Sequence, residues 1–265
     1  MLKKMKNKIF FPKKEKKVPQ TTKVEKNSRK VLIEVTNLKK VYGSTTIFED
    51  VNFKIHEGEK VALIGINGVG KSTIVDIICG VQQQTDGQVM RNFKNHVDFM
   101  QNLGVQFQEC TYPADLSVKS LIDFYAAIYN NQDIDIQELI KTLKIDELLK
   151  KRIKRISGGQ KQRVNILLSI LHNPKFLILD EVSTGLDLGA RTEIKKLIKD
   201  LSEKYNWTMC LITHNVEELS YLCDRIILLG RNQQGIGNVV EDDSIENIVK
   251  KYKSLDKFIS THFEY

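Results

Sequence analysis

Two stretches of the sequence combine residue types that handle phosphate. The first is GINGVGKST, Gly65 to Thr73, between the apolar run VALI and the helical run TIVDII. A glycine-rich turn from strand to helix aims backbone N–H groups and the positive end of a helix at one point, which suits an anion. Gly65, Gly68 and Gly70 would let the backbone wrap a phosphate chain, Lys71 would neutralise β- and γ-phosphates, and the Ser72 hydroxyl would ligate Mg²⁺. Asn67 and Thr73 complete the candidate contacts of this loop. The second stretch is FLILDE, Phe176 to Glu181, an apolar strand that ends in two carboxylates. In a parallel sheet the carboxyl ends of the strands face the ligand crevice, so Asp180 is placed to hold Mg²⁺. Side chains alternate along a strand, so Glu181 points elsewhere and is the candidate to orient a water and take its proton.

A third stretch, ISGGQKQR from Ile156 to Arg163, poses a different question. Ser157 followed three residues later by Gln160 is a capping box at the start of a helix. A cap needs neither of the intervening glycines. Gly158 and Gly159 fall in the first turn, where each costs about 0.5–1 kcal/mol relative to alanine. Something must therefore approach the bare backbone closely.

The phosphate loop and the acidic strand together describe a phosphate-loop nucleotidase, a class that still includes kinases and helicases. ISGGQKQR, with DEVSTGLD after the strand, narrows it: the sequence resembles the ATP-binding cassette of ABC transporters from about residue 31 to residue 240. The resemblance implies ATP and Mg²⁺ as ligands and roles for further residues. Tyr42 in KKVYG matches the aromatic that stacks on adenine, and Gln108 in GVQFQE, in preference to Gln106, matches the glutamine that senses Mg²⁺ and water. Ser183 to Asp187 matches the loop that signals across a dimer, with Asp187 counted among the nucleotide contacts. His214 in LITHN matches the switch histidine at the γ-phosphate. Ile156 and Val182 depart from the family's usual leucine and proline, and neither change removes a polar group. In this family two cassettes pack head to tail, so the turn Ser157-Gly158-Gly159, with Gln160, would face the γ-phosphate held by the other cassette. Lys71 and Ser157 are 86 residues apart, and sequence alone leaves a same-chain arrangement open.

The elements that must position these residues are legible as patterns. VLIEV, VNFKI, VALIG, LGVQF, FLILD, MCLIT and RIILL have strand length and β-branched character, whereas STIVDIICG, VKSLIDFYAAIY, IQELIKTL and RTEIKKLIKDLSEKY have helical spacing. The alternation predicts an α/β fold with a mostly parallel sheet. The resemblance specifies a P-loop NTPase core with an antiparallel β edge near the N-terminus. The expected division is a basic tail over 1–30, a cassette over 31–252 and a C-terminal tail over 253–265. Within the cassette, core segments at 31–110 and 156–240 flank a helical insertion at 111–155, where no strand intervenes. EDDSIENIVKKYKSL reads as a capped helix with Ser244 as its cap, and no function attaches to it.

Composition bounds what the chain does. With 41% hydrophobic and 28% charged residues among 265, it can bury a full core. Residues 1–30 hold 12 Lys/Arg and 2 Asp/Glu, a net of +10, which leaves −2 for the rest of a chain whose total is +8. That arm would suit anionic lipid or, as the rival reading, RNA. The four cysteines, Cys79, Cys110, Cys210 and Cys223, form no C-x-x-C pair and read as buried thiols of a reducing compartment. No apolar run approaches a membrane span. The expectation is therefore an ATP hydrolase at the cytoplasmic face of the cell membrane, powering a separate polytopic membrane subunit and pairing with a second cassette chain, identical or different. DLSVKSLIDFYAAIYN and DEVSTGLD are similar to the drug-efflux type, and the 51 residues after His214 are too few for the regulatory domain of sugar importers, so export is favoured. The alternatives are a soluble ABC ATPase acting on ribosomes or nucleic acid, and a degenerate cassette that binds ATP without hydrolysing it. One cassette without heptads argues against a nucleic-acid role, and the full polar set speaks against degeneracy.

Overall fold

The computed structural model describes residues 29–107, 111–129 and 134–263. In chain order run β1 (Val31–Tyr42), β2 (Thr45–His56), β3 (Lys60–Gly65), α1 (Lys71–Cys79), β4 (Asp86–Arg91), α2 (His96–Gln101), β5 (Leu103–Gln106), α3 (Val118–Tyr129) and α4 (Ile136–Thr142). They are followed by α5 (Gly158–Ile170), β6 (Phe176–Asp180), α6 (Leu188–Tyr205), β7 (Thr208–Ile212), α7 (Val216–Leu222), β8 (Arg225–Arg231), β9 (Gly237–Ser244), α8 (Ile245–Tyr252) and α9 (Leu255–His262).

The strands form one mixed sheet in the order β4-β1-β2-β9-β8-β3-β7-β6-β5. β8, β3, β7, β6 and β5 run parallel, as connections through helices require. β1 pairs antiparallel with β2 and β4, so the antiparallel edge stands where expected. The central strands are apolar on both faces. Ala62, Leu177, Leu179 and Leu211 belong to one core cluster, while their neighbours Val61, Leu63, Ile178 and Ile212 belong to another on the opposite face. This is why these strands read as continuous apolar runs.

Residues 111–155 contain α3, α4 and two 3-10 turns, with no strand among the described residues beyond an isolated bridge between Ser117 and Arg152. Their apolar side chains, Val118, Leu121, Ile122, Leu139 and Ile140, share one cluster with Leu177 and Leu179 of β6. The helical segment thus shares one apolar cluster with strands of the sheet. Ser244 caps α8 by accepting the Asn247 N–H. The tail expected from residue 253 is instead structured: Leu255 and Phe258 on one face of α9, and Phe263 just after it, are buried. Cys79, Cys210 and Cys223 are free and buried, and burial pushes the Cys79 and Cys210 thiols up to about 12. Cys110 and most of the basic arm lie outside the described residues. No helix among the described residues is long and apolar enough to cross a membrane.

Candidate nucleotide site

Three neighbouring parallel strands deliver the candidate residues to one edge of the sheet. β3 pairs with β7 and β7 with β6, so the phosphate loop after Gly65, the carboxylates at Asp180 and Glu181, and His214 after β7 all emerge side by side. The loop from Gly65 to Gly70 is shaped by its own glycines. Gly70 sits at φ 107, and a β-carbon there would lie 2.6 Å from the Phe48 ring. One on Gly65, at φ 159, would lie 2.6 Å from the Leu229 carbonyl oxygen. α1 therefore begins without a side-chain cap, its first N–H groups left to the loop mouth.

Lys71 is buried inside the loop and donates to the carbonyls of Gly65 at 2.7 Å and Ile66 at 3.1 Å. Burial lowers its pKa, while the charges of Glu181 and Asp180 raise it. Asp180 shows the opposite strain: burial pushes its carboxyl up to about 6, Glu181 adds to the rise, and Lys71 opposes it. Ser72 and Asn67 are exposed at the mouth, and Thr73 is half-buried behind them.

Glu181 occupies a left-handed backbone conformation, φ 48, immediately after β6. For a non-glycine residue this costs of order 1 kcal/mol or more and persists only where the surroundings enforce it. They do so here. The Glu181 N–H donates to the Ile212 carbonyl at 2.9 Å, the Thr184 hydroxyl donates to its carboxylate at 3.1 Å, and Val182 next to it is fully buried. A valine in place of the family's proline thus still leaves a pinned loop. His214 Nε2 lies 3.9 Å from Glu181 Oε1, and its pKa is lowered by burial and by Lys71, with Glu181 opposing.

Tyr42 is 46% exposed, hydrogen-bonded to Gln82 and overlain by the Lys40 ammonium at 4.7 Å. Its open ring face can accept a base. Gln108 lies outside the described residues, whereas its competitor Gln106 is buried and donates to the Phe107 carbonyl at 2.6 Å.

The remaining candidates lie at the starts of α5 and α6. Ser157 accepts the Gln160 N–H and Gln160 reaches back to the Ser157 N–H, the full capping box. A β-carbon on Gly158 would meet nothing within 4 Å, and one on Gly159 only Ala190 and Leu186 at 3.5 and 4.0 Å. Nothing among the described residues requires these glycines. The Asp187 carboxylate caps α6 by accepting the Ala190 N–H through Oδ1 at 2.9 Å.

Two residues that the sequence did not single out complete the arrangement. Glu218, 1% exposed on α7, accepts hydrogen bonds from the Ser183 and Thr213 hydroxyls. It ties the segment after Glu181 to the segment before His214. The available signal was an acidic residue four positions beyond His214, without any sign that it would be buried. Arg231 donates to the Gly68 carbonyl at 2.9 Å and steadies the tip of the phosphate loop. Nothing local to its sequence marks it.

The fold and this edge define a phosphate-loop nucleotidase of α/β type. The comparisons with known proteins make that specific. The model of the family described as ABC transporter matches residues 48–184, and the chain belongs to that family, whose ATP-binding subunits are ATPases. It is similar to the aliphatic sulfonates import ATP-binding protein SsuB 3 of Pseudomonas savastanoi pv. phaseolicola, 31% identical over 80% of this chain and 78% of that one. It is also similar to the linearmycin resistance ATP-binding protein LnrL of Bacillus subtilis, 30% identical over 76% of this chain and 67% of that one. A solved ATP-binding subunit of an ABC transporter superposes with a TM-score of 0.73, covering 86% of this chain and 98% of that one; at 24% identity this likeness concerns the fold alone. Names of importers predominate among the curated relatives, so the comparisons do not bear out the expected affinity with drug-efflux ATPases.

Proposed function

We propose that this chain is the ATP-binding and ATP-hydrolysing subunit of a transporter whose membrane-spanning part is a separate chain. The observation that carries the reading is the convergence of Lys71, Asp180, Glu181 and His214 at the carboxyl ends of three adjacent parallel strands. Tyr42 stacks on adenine, and the loop N–H groups from Gly65 to Thr73 with Lys71 hold the phosphates. Glu181 takes the proton from a water that adds to the γ-phosphorus as the bond to the β-phosphate oxygen breaks. His214 donates a hydrogen bond to the γ-phosphate. Preorganised donors aimed at developing charge are worth several kcal/mol in such a step.

The donor set fits Mg²⁺. Two adjacent carboxylates, one of them raised to about 6 by burial and by the other, have Lys71 as the cation that opposes the rise. A divalent ion would relieve that repulsion. Ser72, Asp180 and Gln108 would hold it, and it would supply charge neutralisation on the β- and γ-phosphates.

The open space over Gly158 supports a head-to-tail pair, in which the turn Ser157-Gly158-Gly159 and Gln160 of one copy close on the γ-phosphate bound by the other. Asp187, in the loop beside that turn, belongs to the same contact. For the membrane partner, a hollow of about 430 Å³ bordered by Met100, Phe107, Tyr112, Tyr125 and Leu168, beside the exposed Phe124 and Ile128 of α3, offers an apolar seat. Docking there would bring the chain to the cytoplasmic membrane face, with the basic arm on anionic lipid. On direction, DLSVKSLIDFYAAIYN and DEVSTGLD lean to export. The relative named for linearmycin resistance agrees, while relatives named for import weigh against it.

Glu181→Gln tests the chemistry: steady-state hydrolysis falls by about 10²–10⁴-fold with ATP binding retained. Undiminished hydrolysis would mean that another group is the base. Affinity purification from detergent-solubilised native membranes tests the partner, and a polytopic protein is the expected companion. Ribosomal proteins or nucleic acid in its place would overturn the transport role and leave the ATPase.

A further inference from the structure

The last described helix lies outside the phosphate chemistry, yet its end touches one of the residues assigned to it. α9 is fixed at its start by Ser254, whose hydroxyl accepts the Lys257 N–H at 3.0 Å. Leu255 and Phe258 are buried in the same cluster as Leu219 and Leu222 of α7, the helix that begins just after His214. Phe258 also meets the Tyr252 ring of α8 edge-on, with centroids 5.0 Å apart. The helix is thereby clamped to the element that carries the switch segment.

Phe263 follows the last residue of α9. Its N–H donates to the Ile259 carbonyl at 2.8 Å, and its ring meets the imidazole of His214 at right angles, with centroids 6.5 Å apart. Phe263 is only 8% exposed, whereas about a third of the His214 side chain remains open. Edge-to-face contacts of this spacing depend on orientation. The torsion that turns an imidazole about its own axis is otherwise broad. With Glu181 facing Nε2 at 3.9 Å, the ring is held between a carboxylate and an aromatic.

We propose that Phe263 is a positioning residue for hydrolysis: through its ring, the pair α8–α9 fixes the imidazole plane of His214 so that Nε2 faces Glu181 and the γ-phosphate. The inference rests on the role assigned to His214 above. The role of Phe263 is exerted through His214 alone. Whatever moves the Phe263 ring off the His214 imidazole would then slow turnover without weakening ATP binding.

The test is a kinetic double-mutant cycle on the full chain, with ATP as the probe, comparing Phe263→Ala and Phe263→Leu in the native and His214→Ala backgrounds. Phe258→Leu serves as a packing control, since it loosens the same helix without touching His214. Phe263→Ala is expected to lower kcat by about fivefold or more while the ATP dissociation constant stays within about twofold, and to add nothing in the His214→Ala background. Phe263→Leu, which keeps apolar bulk but not the ring, reports the same coupling if the alanine variant fails to fold. An equal loss of kcat in both backgrounds, or a lowered Tm with kcat unchanged as for Phe258→Leu, would overturn the proposal. If His214→Ala itself leaves kcat intact, the role of His214 falls and this inference with it. An impaired His214→Ala beside an unimpaired Phe263→Ala removes this inference alone.

Discussion

The glycine-bearing starts of α1 and α5 differ in what demands the glycines. At the start of α1 the demand is internal: Gly65 and Gly70 have positive φ, and a β-carbon on either would strike the Leu229 carbonyl or the Phe48 ring at 2.6 Å. At the start of α5 it is not, because Gly158 faces open space within its own chain and Gly159 meets only ordinary contacts. The α5 start is also fully capped by Ser157 and Gln160, whereas the α1 start has no side-chain cap. One site is finished by its own fold. The other is left open within the described residues and is the surface that the proposed pairing would complete.

Substitution at the two positions should separate these demands. Gly70→Ala forces both a disfavoured φ and a clash, so it should cost roughly 2–5 kcal/mol of stability and abolish ATP binding, as read by denaturant unfolding and nucleotide titration. Gly158→Ala should leave stability unchanged or raise it by up to about 1 kcal/mol, since alanine is the better residue in a helical first turn. Its hydrolysis rate should nonetheless fall, by roughly 10-fold or more, because the methyl group occupies the approach to a phosphate. A stable, fully active Gly158→Ala would erase the contrast.

A smaller effect sharpens it further. The Asp180 pKa is raised from 3.8 to about 6, so the folded chain binds this proton more readily than the unfolded chain. Stability from protonation is then gained as pH falls through about 6 and is absent at neutral pH, where the ionised carboxylate is a net cost. Asp180→Asn should accordingly raise Tm at pH 7.5 in the absence of nucleotide and Mg²⁺, with the gain shrinking below pH 6, while hydrolysis is lost. The stability gain of Gly158→Ala should show no such pH dependence. Thermal scans across pH 5–8 would check both.

How much could be read from sequence follows the same division between local and distant causes. VALIG, FLILD and MCLIT were legible as strands because both their faces are buried. β4, DGQVMR, was not: it is an edge strand with no fully buried residue, so it lacks the apolar signature. β9 was missed for its polar second half, and α2 and α7 for their brevity. The capping box at Ser157 was fully local and appears as read. Glu218 and Phe263 act across 35 and 49 residues of chain, on Ser183 and His214, through contacts that no local pattern encodes. Asp187, singled out through a motif, also has a local role that the motif did not announce: its carboxylate caps α6.

The central claim is that a phosphate loop from one copy works with the Ser157 turn of another, and complementation tests it directly. Lys71→Ala and Gly158→Asp should each be inactive alone, one for want of the phosphate-binding ammonium and the other through a carboxylate aimed at phosphate. Mixed in equal amounts with ATP and Mg²⁺, they should regain activity, because half of the sites in a mixed pair combine an intact loop with an intact turn. If the mixture stays as inactive as its components, the loop and the turn act within one chain and the paired account is wrong.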